Sequence, residues 1–276
     1  MSAAFGVRLA EAVAARGPLC VGIDPHPGLL DDWGLPRDVE GLERFALTCV
    51  EALAGQVAIV KPQSAFFEAH GSRGVAVLER VISGFAGSGT LVLLDVKRGD
   101  IGSTMTAYAQ AYLADGSPLA ADAVTLSPYL GFDSLEPALA EAERTGRGAF
   151  VLALTSNPEG ASVQRARAGE RSVAQSVVDA AAARNAGAAP QGSVGVVVGA
   201  TVDRTDLDLA GLNGPILAPG LGAQGAGPRD LARLFGDALP FVLPTSSRDV
   251  LRHGPDGAAV RSAALRVRDS LAAAAR

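Results

Sequence analysis

The strongest constraint in this sequence is its rhythm. Short apolar runs rich in β-branched residues recur at Leu19–Ile23, Val57–Val60, Leu91–Leu94, Ala123–Leu126, Ala149–Leu154, Val194–Val198, Pro215–Ala218 and Pro240–Leu243. Between them lie longer amphipathic stretches, among them Leu42–Leu53, Gly74–Phe85, Thr104–Ala114, Ser134–Arg144, Ser172–Arg184, Arg229–Phe235 and Ala258–Ala274. Parallel strands need long crossovers, the crossovers are right-handed, and eight strand–helix units close on themselves. The expected fold is therefore α/β, a (β/α)8 TIM barrel, with residues 1–17 forming an extra N-terminal helix. A doubly wound open sheet is the rival, but its dinucleotide-binding turn is missing: the first run leads into Gly22-Ile23-Asp24-Pro25-His26-Pro27. No linker, low-complexity tract or charge block interrupts the chain, so residues 1–276 are expected to form one barrel domain.

Composition narrows the partners. A formal charge of -5 across 276 residues argues against a nucleic-acid surface, which needs a basic face, and against an anionic membrane. Any anionic ligand must then be held by a local site. No run of 18 apolar residues occurs, and the opening Met-Ser-Ala-Ala-Phe-Gly-Val-Arg lacks the order of a signal peptide, so a cytoplasmic protein is expected. Cys20 and Cys49 sit in apolar segments without metal-ligand spacing and read as buried thiols. Among the 24 basic residues, only Lys61 and Lys97 are lysines; the rest are arginines. Arginine practically never releases its proton, whereas a lysine ammonium can. A lysine kept in such a background is a candidate for chemistry.

In a barrel of this type the reacting groups sit at the C-terminal ends of the strands. The polar residues there include Asp24, Lys61, Asp95, Lys97, Ser127, the Thr155-Ser156-Asn157 run, Thr201, Gln224 and Arg248. Asp95 and Lys97 are two apart on an extended segment and share a face, with Asp24 and Lys61 arriving from the first two strands. Each carboxylate favours the protonated neighbouring lysine, so the four together can hold a proton in place. The alternative is an ion-pair cluster that merely fixes the barrel rim.

A second constellation is Leu217-Ala218-Pro219-Gly220-Leu221-Gly222-Ala223-Gln224-Gly225, followed one strand later by Thr245-Ser246-Ser247-Arg248. Glycine at that density lets backbone N–H groups converge on an anion, Gln224 adds a donor and Arg248 a planar charged fork. The loops after the seventh and eighth barrel strands are where such folds often bind phosphate. His26, His70 and His253 lack metal-ligand spacing and read as solvated or core-satisfying, Trp33 as a packing anchor, and Phe66-Phe67 beside Glu68 as core.

Taken together these residues resemble the orotidine 5'-phosphate decarboxylases, in particular a longer bacterial branch marked by Lys61-Pro62-Gln63-Ser64-Ala65-Phe66-Phe67-Glu68. The likeness runs from Gly22-Ile23-Asp24-Pro25 through Asp95-Val96-Lys97-Arg98-Gly99-Asp100-Ile101-Gly102-Ser103-Thr104 and Ser127-Pro128-Tyr129-Leu130-Gly131 to Pro219-Gly220-Leu221-Gly222-Ala223-Gln224-Gly225 and Ser247-Arg248. It implies conversion of orotidine 5'-phosphate to uridine 5'-monophosphate, the last step of de novo pyrimidine nucleotide synthesis, with no cofactor and no metal. By resemblance, Lys97 donates the proton to C6 of the pyrimidine beside Asp95. Asp100 and Thr104 reach across a homodimer interface into the neighbouring site. Lys61 and Asp24 contact the ribose, Ser127 faces the pyrimidine edge, and Pro219, Gln224, Ser247 and Arg248 surround the 5'-phosphate. Ser127 stands where this branch often has asparagine, and Pro244-Thr245-Ser246-Ser247 stands where a more apolar run is usual. Two other readings fit part of the pattern: a magnesium-dependent sugar-phosphate decarboxylase or synthase of the same superfamily, and a barrel that binds a nucleotide without turning it over.

Overall fold

The structure is a computed structural model that describes residues 3–202, 207–222, 225 and 227–274. Its strands are β1 (Cys20–Ile23), β2 (Ile59–Pro62), β3 (Leu91–Arg98), β4 (Ala123–Leu126), β5 (Gly148–Leu154), β6 (Arg167–Ala168), β7 (Arg171–Ser172), β8 (Val194–Val198), β9 (Ile216–Pro219) and β10 (Val242–Ser246). All but β6 and β7 pair in parallel, each with its neighbours in chain order, and β10 returns to β1 to close the barrel. This is the expected (β/α)8 TIM barrel. β6 and β7 form a small antiparallel ribbon in the loop after β5, which the apolar periodicity does not signal because its residues are largely exposed and polar.

Helices cover the outer face of the strands and side chains fill the inner one, so β1, β2 and β4 have no exposed position. That double burial is why they read as continuous apolar runs rather than alternating ones. The barrel interior is packed by Ile59, Leu93, Phe150, Val197, Leu217 and Leu243, and it is shut at the N-terminal end by Phe5 and Leu9. These two belong to the extra helix, Phe5–Arg16. The Phe5 ring meets Phe150 edge-on at 6.0 Å, and a Cβ on Gly148 would come within 2.3 Å of that ring. Glycine at 148 is thus what lets the helix seat as a plug. With one end closed, a ligand must enter at the C-terminal end.

The outer core agrees with the residue-level expectations. Trp33 is buried, its Nε1–H donates to the Leu251 carbonyl at 2.8 Å, and its ring lies 4.3 Å from that of Phe45. Cys20 and Cys49 are buried free thiols, and burial pushes the Cys20 thiol up to about 12. Phe67 is fully buried, while Phe66 is half-buried against the His26 ring. No helix among the described residues is long and apolar enough to cross a membrane.

Three strand ends differ from the sequence expectation in a way that matters. β2 continues through Lys61 and Pro62, β3 through Asp95 to Arg98, and β10 through Thr245 and Ser246. Charge ordinarily marks a strand's end, but Lys61 on β2 and Asp95 on β3 satisfy one another across the neighbouring strands, so these two extend past them, while β10 continues through two uncharged residues.

Candidate active site

The polar ends of these extended strands enclose a cavity of about 370 Å³ at the open end of the barrel, within the range of small-ligand sites. Its charged side is built from β1, β2 and β3. Asp95 accepts from Lys97 Nζ at 2.6 Å and Thr125 Oγ1 at 2.8 Å through Oδ1, and from Lys61 Nζ at 2.9 Å through Oδ2. Lys61 Nζ also donates to Gln63 Oε1 at 3.1 Å and lies 3.7 Å from Asp24 Oδ1. Asp24 Oδ2 accepts from Ser247 Oγ at 2.5 Å, whereas Asp24 Oδ1 is buried with no hydrogen-bond partner. Asp24 Oδ1 is left with the Lys61 ammonium as its charge partner and its hydrogen-bonding capacity unused.

Electrostatics follow from this packing. Burial opposes the Lys61 ammonium, but the charges of Asp24 and Asp95 outweigh it and hold the lysine above its ordinary value. Burial likewise pushes the Asp95 carboxyl up, and Lys61 with Lys97 overcomes that and holds it well below the usual carboxylate range. Both groups are therefore charged at neutral pH. The two lysines differ in access: the Lys61 side chain is 6% exposed and that of Lys97 is 47% exposed.

Lys97 reaches its place through an irregular backbone. The β3–β4 register shifts between Leu94 and Arg98, and Lys97 has φ of 46°, a left-handed conformation shared among the described non-glycine residues with Asn213. Such a geometry costs on the order of 1–3 kcal/mol and persists where the surroundings impose it. Thr125 is one such constraint, since its Oγ1 accepts the Lys97 backbone N–H at 2.9 Å while donating to Asp95.

Pro219 at the end of β9 and Gly220 just after it, with Ser247 and Arg248 after β10, line the same cavity. Arg248 opens a short helix, Arg248–Leu251. Facing the charged side are Thr155, Ser156 and Asn157 from the loop after β5, with Leu152, Val197 and Leu217 as the apolar floor. Asp24, Lys61, Asp95, Lys97, Pro219, Ser247 and Arg248 are thus brought together.

The other expected residues stand elsewhere. Ser127 is outside the cavity lining, its N–H donating to the Arg98 carbonyl at 2.8 Å. Asp100 is half-buried, its Oδ1 accepting the Ile101 N–H at 2.8 Å, and Thr104 is exposed on the helix Gly102–Leu113; neither lines this chain's cavity. Gln224 lies outside the described residues. Gln63 and Thr125 were not singled out from sequence, though Thr125 is the polar residue inside an apolar strand and Gln63 directly follows Lys61-Pro62. His26 lines the cavity mouth with its ring 4.4 Å from Phe66.

The profile of the orotidine 5'-phosphate decarboxylase / HUMPS family matches residues 17–263. The chain belongs to that family. It is 67% identical to the orotidine 5'-phosphate decarboxylase of Salinispora arenicola over 264 residues, 95% of each protein. It is 60% identical to that of Streptomyces coelicolor, covering 94% of each. A solved Streptomyces avermitilis structure, itself provisionally assigned to the same activity, superposes with a TM-score of 0.96 at 58% identity, covering 99% of this chain and 96% of the other.

Proposed function

We propose that the protein decarboxylates orotidine 5'-phosphate to uridine 5'-monophosphate, with Lys97 as the proton donor. Family membership and relatives at 60–67% identity support the reaction, and one contact carries the residue assignment: Lys97 Nζ held 2.6 Å from Asp95 at the cavity wall. Breaking the C6–carboxylate bond leaves an electron pair on a ring carbon that conjugation stabilises poorly. A fixed ammonium beside C6 stabilises that charge as it develops and then supplies the proton that ends the reaction. Asp95, kept ionised by its two lysines, disfavours the substrate carboxylate more than its charge-dispersed transition state. The chemistry asks for no electron sink, so no cofactor is needed.

The remaining assignments follow the same logic. Asp24 Oδ1 and Lys61 are suited to ribose hydroxyls, and Thr155 and Ser156 supply hydrogen-bonding groups for the pyrimidine edge across the cavity. Arg248, Ser247, Pro219 and Gly220 form the 5'-phosphate side, to which the family resemblance assigns Gln224 as well. The protein acts as a homodimer in the cytoplasm, with Asp100 and Thr104 completing the partner's site. Exposed Ile101, Tyr129 and Leu130, at 62%, 78% and 52%, support that arrangement, since they follow β3 and β4 next to Asp100 and leave apolar surface to be covered.

The test is ultraviolet absorbance of orotidine 5'-phosphate with purified protein in excess chelator, with Lys97→Ala alongside. Loss of the orotate signal and appearance of uridine 5'-monophosphate, with the rate in Lys97→Ala lower by at least about a thousandfold, is expected. An unchanged spectrum from folded protein, or turnover dependent on added magnesium, would point to a sugar-phosphate reaction instead.

A further inference from the structure

Arg98 follows Lys97 in the chain and does not line the cavity, yet its side chain is held from several directions. Nη2 donates to Glu68 Oε1 at 2.6 Å and to the Tyr112 hydroxyl at 3.2 Å, and Nη1 to the Val96 carbonyl at 3.3 Å. The guanidinium carbon lies 5.6 Å from the Tyr108 ring centre and 5.7 Å from that of Tyr112, within cation–π range. Glu68 is itself fixed, accepting from Ser64 Oγ at 2.6 Å.

The route of these contacts gives them meaning. Ser64 and Glu68 bound the short helix Ser64–Glu68, which follows Gln63, the acceptor for Lys61 Nζ. Tyr108 and Tyr112 belong to the helix Gly102–Leu113, which follows β3. Arg98 therefore joins the exits of β2 and β3 from outside the cavity. It also marks where β3 rejoins its neighbour: the register lost after Leu94 resumes at Arg98 opposite Leu126. A strand whose ladder is interrupted can slide or flatten unless both sides of the interruption are pinned. Thr125 pins the Lys97 N–H within it, and Arg98 pins the far side.

We propose that Arg98 is a positioning residue whose guanidinium, tied to Glu68 through Nη2 and laid against Tyr108 and Tyr112, locks the irregular backbone that aims Lys97 at Asp95. This rests on the reading of Lys97 as proton donor. Lysine could not replace it, because one ammonium cannot serve Glu68, Tyr112 and the Val96 carbonyl while presenting a flat face to two rings.

The presence of only two lysines makes the test direct. Lysine side chains labelled with nitrogen-15 give two Nζ signals, assigned by Lys97→Arg. In Arg98→Met, which keeps an unbranched chain on the rings, the Lys97 signal should move while that of Lys61 stays. The turnover number should fall between about tenfold and a hundredfold, with KM and uridine 5'-monophosphate affinity within about threefold of the parent. Should Arg98→Met fail to fold, Glu68→Gln and Tyr112→Phe trim the same contacts and should show the same pattern in smaller measure. An unmoved Lys97 signal in folded variants would overturn the proposal. So would parallel losses of turnover, product affinity and thermal stability, the signature of general loosening. If the parent fails to turn over orotidine 5'-phosphate, the functional reading falls, and the Lys97 signal still decides the positioning role.

Discussion

At the scale of single residues, the proposed reaction divides the work between Lys97 for the proton and Asp95 for the field. Lys97→Arg keeps a cation beside Asp95 but one that practically never releases its proton. Its turnover should drop by at least about a hundredfold, while uridine 5'-monophosphate, measured by calorimetry, still binds. Retained turnover would mean that charge alone suffices. Asp95 makes a different prediction, about pH. Its folded value lies below the unfolded one near about 3.9, so its contribution to stability is full above that point and declines as pH falls from there toward the folded value. The Lys61 value is raised, so its contribution is full below about 10.4 and lost as pH climbs beyond. Between those limits the pair gives a flat profile. Asp95→Asn leaves Lys61 with Asp24 at 3.7 Å as its remaining carboxylate and should cost about 3 kcal/mol at neutral pH. Urea denaturation from pH 3 to 7 checks this: the variant should show a shallower acid decline than the parent.

Elements matter because the site is made where strands outrun their apolar stretches. On β1 a Cβ at Gly22 would fall 1.9 Å from Ser247 Oγ and 2.8 Å from Asp24 Oδ2. Gly22→Ala should therefore break the Asp24–Ser247 contact and weaken uridine 5'-monophosphate binding by about tenfold or more, from the loss of about 1.5 kcal/mol or more. Unaltered affinity in the folded variant would show that β1 and β10 can yield. If Arg248 holds the 5'-phosphate as proposed, Arg248→Ala should lower the turnover number as well as affinity, because remote binding energy is used in the transition state; steady-state kinetics showing a KM effect alone would contradict this. The alternation of strands and helices was legible in the sequence because each parallel strand is buried on both faces, and Asp24, Lys61, Asp95 and Lys97 were legible as charges where apolar runs stop. Thr125 was not, since one hydroxyl within Ala-Val-Thr-Leu looks like an ordinary buried threonine until its bonds to Asp95 and to the Lys97 N–H are seen. Gln63 escaped for the same reason. The left-handed backbone at Lys97 had no signal at all, because such conformations are usually announced by glycine or asparagine.

For the whole molecule, the N-terminal helix closes one end of the barrel and the charged cluster of Asp24, Lys61, Asp95 and Lys97 crowds the other, while Asp100 and Thr104 stay outside their own chain's cavity. If each completes a partner's site, mixing inactive Lys97→Ala and Asp100→Ala chains should restore about a quarter of parental activity. Half the dimers are then mixed, each with one intact site of two. Subunit exchange followed by mass spectrometry, without recovery of activity, would return Asp100 to its own chain. The contrast in access between the two lysines reaches beyond catalysis. Reagents that seek primary amines, such as activated esters on a dye or a resin, find Lys61 sealed and Lys97 open, with the chain's terminal amine as the competing target. Among the lysines, ordinary amine coupling is thus directed to Lys97, and a sensor surface that captures the protein through a lysine would hold it by the wall of its own cavity.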